Sequence, residues 1–168
     1  MARIVGLYQI DREITMQARE LMNHHPIAVD RTTPVSEVIT LMLTHSVNTI
    51  FVIDRGRNVI GAISEGDLIR RIDATSQDKL QHWLALLAEG EPLSREFLNA
   101  LRLEQRAAGE VMSAPAISVD DTADVAIVSS MLVRHCIKSV PVVSHGKLVG
   151  VISRRDILRA LMVQADSA

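Results

Sequence analysis

Val35, Val38, Ile39, Met42 and Leu43 fall on one face at helical spacing, and Thr32-Thr33-Pro34 just before them predicts a helix with proline in its first turn. Upstream, Gln17 to Met22 reads as a short helix and Ile27-Ala28-Val29 as a short strand. Downstream, Thr49-Ile50-Phe51-Val52-Ile53 is too short and too rich in branched residues for a helix. It predicts a strand, followed by the turn Asp54-Arg55-Gly56-Arg57-Asn58 and a second hairpin strand from Val59 to Ile63. Ser64-Glu65-Gly66-Asp67 then opens another helix, so the predicted order is strand, helix, strand, strand, helix.

The pattern comes twice. A shift of 90 residues superposes Ala18, Glu20, Met22, Ile27, Val29 and Asp30 on Ala108, Glu110, Met112, Ile117, Val119 and Asp120. Thr32, Val35, Val38, His45 and Val52 likewise meet Thr122, Val125, Val128, His135 and Val142. Beyond Ser144-His145-Gly146-Lys147 the shift is 89, and Gly61, Ser64 and Asp67 meet Gly150, Ser153 and Asp156. A deletion confined to a turn is what a structural repeat permits. Between the copies, Leu80, Trp83, Leu84 and Leu87 share one helical face; Gly90-Glu91-Pro92 breaks the run and Phe97, Leu98 and Leu101 resume it, predicting an inserted helical hairpin. The expected organisation is an arm at 1–16, a first repeat at 17–72, the insertion at 73–107, a second repeat at 108–162 and a tail at 163–168.

The twice-repeated stretch around Ser64-Asp67 and Ser153-Asp156 carries the candidate chemistry. A serine ending a strand with an acidic residue three positions on reads as a capping box. The free N–H groups and dipole of such a helix start also attract a phosphate, and an ionised aspartate, acceptor-only with two oxygens, suits the adjacent hydroxyls of a ribose. Capping alone explains either copy taken singly; the duplication is what points to a ligand.

Composition narrows the alternatives. The chain of 168 residues is 48% hydrophobic but only 2% aromatic, which supplies an aliphatic core and few stacking platforms for single-stranded nucleic acid. A formal net charge of -2 gives no global pull toward polynucleotides or anionic lipid, and the arginines Arg154, Arg155 and Arg159 have no aromatic companions. The single cysteine, Cys136, excludes an internal disulfide and fits a reducing compartment. No signal-peptide core or bilayer-length apolar run is present, so the expectation is a soluble cytoplasmic protein. Six histidines, His24, His25, His45, His82, His135 and His145, lack the tight helical spacing of a zinc motif. Ser64 and Ser153 have no adjacent base of the serine–histidine kind and no phosphate-loop signature occurs, so no catalysis and no catalytic cofactor are expected.

The Glu-x-Met pair (Glu20-Leu21-Met22, Glu110-Val111-Met112), the run Val140-Pro141-Val142-Val143 and the duplicated glycine, serine and aspartate motif together resemble a tandem pair of cystathionine beta-synthase (CBS) domains, a Bateman module. The similarity covers about Ala18 to Arg71 and Ala108 to Leu161, and the position of the helical insertion is similar to that of small stand-alone bacterial members. The resemblance implies an α/β fold of two beta-alpha-beta-beta-alpha units packed about a pseudo-twofold axis with two equivalent clefts. It also implies a homodimer formed through helices, a regulated protein partner that the sequence does not name, and an adenosyl ligand: AMP first, with ADP, ATP, NAD or S-adenosylmethionine as alternatives. By motif, Asp67 and Asp156 would take ribose hydroxyls and Ser64 and Ser153 would lie near the phosphate. Ile27, Ala28, Ile117 and Ser118, with Thr49, Ile50, Ser139 and Val140, would line the base and sugar pocket.

The copies differ where it matters. Arg154-Arg155 stands inside the second motif and Glu65-Gly66 inside the first, so the Asp156 cleft is expected to hold a phosphorylated nucleotide more tightly than the Asp67 cleft. Phe51, where the second copy has Pro141, is a bulky ring expected either to narrow the first cleft or to serve as core. The competing reading is a structural or adaptor dimer with vestigial clefts that acts through protein partners.

Overall fold

The computed structural model describes residues 16–73 and 106–165; the predicted helical hairpin, the N-terminal arm and the extreme C-terminus lie essentially outside the described residues. The first half runs α1 (Ala18–Leu21), β1 (Ala28–Asp30), α2 (Val35–His45), β2 (Thr49–Ile53), β3 (Val59–Ser64) and α3 (Glu65–Asp73). The second runs α4 (Ala108–Val111), β4 (Val119–Asp120), α5 (Val125–Arg134), β5 (Ser139–Ser144), β6 (Lys147–Ser153) and α6 (Arg154–Ala165). Each half forms a three-stranded sheet, β1-β2-β3 and β4-β5-β6. The first pair in each is parallel, bridged by a crossover helix, and the second is an antiparallel hairpin. The two-layer α/β architecture duplicates as the periodicity predicts.

The one-residue difference between the copies sits in the hairpins. In the second, His145 (φ 50°) and Gly146 (φ 79°) form a two-residue turn with both centres left-handed, the geometry that matches the twist of the flanking strands. The first is longer and is closed by Asp54, whose Oδ1 accepts the backbone N–H groups of Gly56 at 2.8 Å and Asn58 at 2.9 Å. Pro34 departs from the sequence expectation. It stands one residue before α2 with extended backbone, because it pairs with Ala107 and the Val35 N–H donates to the Arg106 carbonyl at 3.0 Å.

That pairing belongs to a crossing of the halves. The segment leading into the first repeat packs on the second sheet. There the Ala18 N–H donates to Ala123 O at 2.8 Å, and Asn23 and Val151 exchange backbone bonds at 2.9 and 3.1 Å. The segment leading into the second repeat does the same on the first, with Ala108 N–H on Thr33 O at 2.8 Å and Ser113 exchanging bonds with Ala62. The cores record the exchange. Val29, Val35, Val38, Ile50, Val52 and Ile63 bury Ala108 and Val111 among them, while Val119, Val128, Leu132, Val140, Val142 and Ile152 bury Ala18.

The Glu-x-Met pair thereby acquires a physical account. The Glu20 carboxylate accepts the Gln17 N–H at 2.7 Å, closing the first turn of a helix too short to stand alone. Met22 lies flat over Gly150 of β6, and Met112 over Gly61 of β3, so close that a β-carbon on either glycine would collide with the thioether.

Candidate functional site

Strand β3 ends at Ser64 and strand β6 at Ser153, and in each case a helix begins at the next residue. The Ser64 hydroxyl and N–H both donate to Asp67 Oδ2, at 2.6 and 2.9 Å, and the Asp67 N–H returns to the hydroxyl at 3.2 Å. Ser153 and Asp156 repeat this at 2.6, 2.8 and 3.4 Å. The capping box read from sequence is therefore formed in both copies. It points each aspartate's other oxygen outward, where Asp67 Oδ1 meets Arg70 at 2.6 Å and Asp156 Oδ1 lies 3.7 Å from Arg159. Partial burial pushes the Asp67 carboxyl up, but the hydroxyl and N–H of Ser64 together with Arg70 outweigh it and hold the group below its ordinary value.

The crossing of the halves builds two clefts, of about 500 and 520 Å³, within the range of small-molecule sites. The Asp156 cleft joins Ser153, Arg154, Arg155 and Asp156 of the second repeat to Ile27, His45 and Asn48 of the first. The Asp67 cleft joins Ser64, Gly66, Asp67 and Arg70 to Ile117, His135 and Cys136. Thr49, Phe51, Lys138 and Ser139 border both.

The sequence-predicted residues distribute as follows. Ser64, Asp67, Ile117, Thr49 and Ser139 reach the Asp67 cleft; Ser153, Asp156, Arg154, Arg155, Ile27, Thr49 and Ser139 reach the Asp156 cleft. Ile50 and Val140 are fully buried, because strand alternation turns them into the two cores. Ala28 is half-buried and Ser118 exposed, and both stand outside the two linings. Phe51 is 2% exposed and forms part of the wall between the clefts rather than narrowing one alone.

The two arginines of the second motif do different things. Arg154 donates from Nε to Ile137 O at 2.9 Å and from a terminal nitrogen to Leu132 O at 3.0 Å, tying down the end of α5. Arg155 makes no such bonds among the described residues and is exposed at the cleft with Arg159. The corresponding Glu65 pairs instead with Lys138 of the other repeat, Oε2 to Nζ at 2.8 Å. His45, His135, Arg70, Arg159 and Lys138 are cleft residues absent from the motif-based set; the recurrence of histidine at 45 and 135 was the sequence signal for the first two. Among the described residues no group of three or more histidine, cysteine or acidic side chains could hold a metal ion. No helix among them is long and apolar enough to cross a membrane.

Comparison with known proteins agrees with this architecture. An uncharacterized protein of Methanocaldococcus jannaschii, MJ1426, is 25% identical over 173 residues, spanning 96% of this chain and 100% of the relative. The CBS domain pair of protein MJ0100, solved with 5'-methylthioadenosine and S-adenosyl-L-methionine, superposes with a TM-score of 0.64 at 17% identity, covering 89% of this chain and 98% of that one. CBSX2, solved in complex with AMP, gives 0.67 at 20% identity, covering 89% and 98%. The family model described as CBS domain matches residues 18–74 and again 108–163, and on that double match the chain belongs to the CBS domain family as a tandem pair.

Proposed function

We propose that this protein is a regulatory module that senses an adenine nucleotide in the clefts between its two repeats, with AMP the first candidate and ADP, ATP, NAD and S-adenosylmethionine the alternatives. The observation that carries the reading is the paired construction. Each cleft brings a helix-capping serine and aspartate from one repeat against the first-strand segment of the other, at a volume that fits a nucleotide. Asp67 and Asp156 present an outward carboxylate oxygen to a ribose diol, and Thr49 and Ser139 add hydroxyls beside it. The bound adenosyl compounds of MJ0100 and CBSX2 support the same ligand class.

The Asp156 cleft is the tighter phosphate site. Arg155 is a cleft guanidinium with no partner among the described residues, and Lys138 lies nearby, whereas Glu65 sits at the first turn of α3 beside the other cleft. Occupancy acts through a homodimer. Leu43 and its repeat equivalent Val133 are each 68% exposed, and Ile69 and Leu158 are 58% and 63% exposed, so matching apolar positions of α2, α5, α3 and α6 are left for a second copy. Binding shifts that dimer only as far as it favours one arrangement over another, and the regulated protein reads the result. No catalytic step is required of the module.

Isothermal titration with AMP, ATP, NAD and S-adenosylmethionine, on protein freed of copurified nucleotide, tests this. AMP is expected to bind, and Asp156→Ala to weaken the tighter site at least tenfold while Asp67→Ala spares it. The rival adaptor reading rests on the complete internal satisfaction of both capping boxes. It requires that no adenosyl compound bind and that Asp156→Ala cost only about 1 kcal/mol of stability.

A further inference from the structure

The two clefts share one ammonium group. The Lys138 carbonyl accepts the N–H of Arg154 at 3.0 Å, so its main chain is fixed at the start of α6, inside the Asp156 motif. Its side chain leaves that motif and crosses to the first turn of α3, where Nζ meets Glu65 Oε2 at 2.8 Å inside the Asp67 motif. Arg154 reinforces the anchorage by holding Ile137 O and Leu132 O on the approach to Lys138. The repeat does not duplicate this device: the position equivalent to Lys138 is Asn48, whose carbonyl accepts the Glu65 N–H at 3.1 Å but whose side chain is uncharged and borders the Asp156 cleft alone.

Building on the nucleotide reading above, we infer that Lys138 couples the two clefts antagonistically for phosphorylated ligands. A phosphate in either cleft draws the ammonium toward itself and away from Glu65, since both clefts include Lys138 in their walls. The second phosphate then meets a site without its lysine and, on the Asp67 side, with an unpaired Glu65 carboxylate. A ligand without phosphate leaves the Lys138–Glu65 pair in place, so the antagonism follows the phosphate and not the adenosine.

The test compares affinities cleft by cleft. Asp67→Ala and Asp156→Ala each leave one cleft, and titration of each with AMP gives the affinity of the other alone. If the clefts are independent, the two stepwise association constants of the unaltered protein multiply to the product of these single-cleft values. The inference expects a product about five- to tenfold lower for AMP, within the usual span of coupling between sites. It expects no deficit for adenosine, and none for AMP when all three proteins also carry Lys138→Met. Two bound AMP molecules with no deficit would overturn the coupling while leaving the nucleotide reading intact. So would a deficit that persists with adenosine or with Lys138→Met, which would assign it to the shared Phe51 wall. AMP binding at neither cleft would overturn both.

Discussion

Replacing Gly150 by alanine tests the crossing of the two halves directly. Gly150 has an ordinary strand conformation, so the backbone does not demand glycine there; the space does. A β-carbon would overlap the Met22 sulfur, stand 2.7 Å from its Cγ and lie 3.0 Å from the Asn23 carbonyl oxygen. Met22 can rotate away, since thioether chains adapt, but Asn23 is held by the pair of backbone bonds to Val151 and cannot. At the equivalent Gly61 the three atoms nearest a β-carbon all belong to the Met112 side chain, with Cγ at 2.9 Å and Cβ at 3.1 Å. Overpacking of this kind costs about 1–3 kcal/mol, and loss of glycine's freedom in the unfolded chain returns about 0.4–1 kcal/mol. Gly150→Ala should therefore destabilise by about 2 kcal/mol and Gly61→Ala by about 1 kcal/mol, measured by urea unfolding. Adding Met112→Ala should remove most of the Gly61→Ala overlap, whereas Met22→Ala should relieve Gly150→Ala only in part. Equal costs at the two glycines, or full relief by Met22→Ala, would refute the argument that a displaced main chain separates the two sites.

The arginines of the second motif should separate in the same assays. Arg154→Ala removes the donors to Leu132 O and Ile137 O and is expected to cost about 1–2 kcal/mol. Arg155→Ala should leave stability within about 0.5 kcal/mol and weaken AMP severalfold, and the reverse pattern would reassign the pair. Asp67 gives a pH signature. Its folded pKa lies below the ordinary 3.8, so the unfolded chain takes up a proton first as pH falls. Its contribution is full above the unfolded value and is lost as pH drops through the folded one. Asp67→Asn should flatten the stability curve below about pH 4, and an unchanged acid limb in urea melts would contradict the carboxylate's role.

The repeat, its strand and helix order and the duplicated capping boxes were legible because each depends on neighbours within a few residues. Apolar spacing marks α2 and α5, and serine with aspartate three positions on marks the starts of α3 and α6. What was not legible lies in contacts between distant segments. Nothing in the periodicity of Ala18, Leu21 and Met22 says which sheet they cover, since a helix of 4 residues buries too little to show a preference. Thr49 and Ile50 both belong to β2 and look alike as cleft candidates, but strand alternation sends the first to both clefts and the second to the core. Lys138 reaches Glu65 across 73 positions of sequence, beyond any local rule.

The crossing also explains why a motif carried twice need not yield two equal sites. Each half lends its leading segment to the other, so a residue changed in one repeat alters the cleft whose aspartate belongs to its neighbour. Asn48 and Lys138 are equivalent by repeat, yet Asn48 borders only the Asp156 cleft while Lys138 borders both. Arg154 and Glu65 occupy the same turn, yet one arginine is spent on the end of α5 and the glutamate is answered by a lysine from the opposite repeat. The asymmetry proposed for the clefts therefore rests less on the sign of the charge in each motif than on which charges lack partners among the described residues once the crossed halves have paired. On the proposed reading Arg155, unpaired among the described residues, is left to meet a phosphate at one cleft, where Arg159 stands 3.7 Å from Asp156; at the other, Lys138 would first leave Glu65.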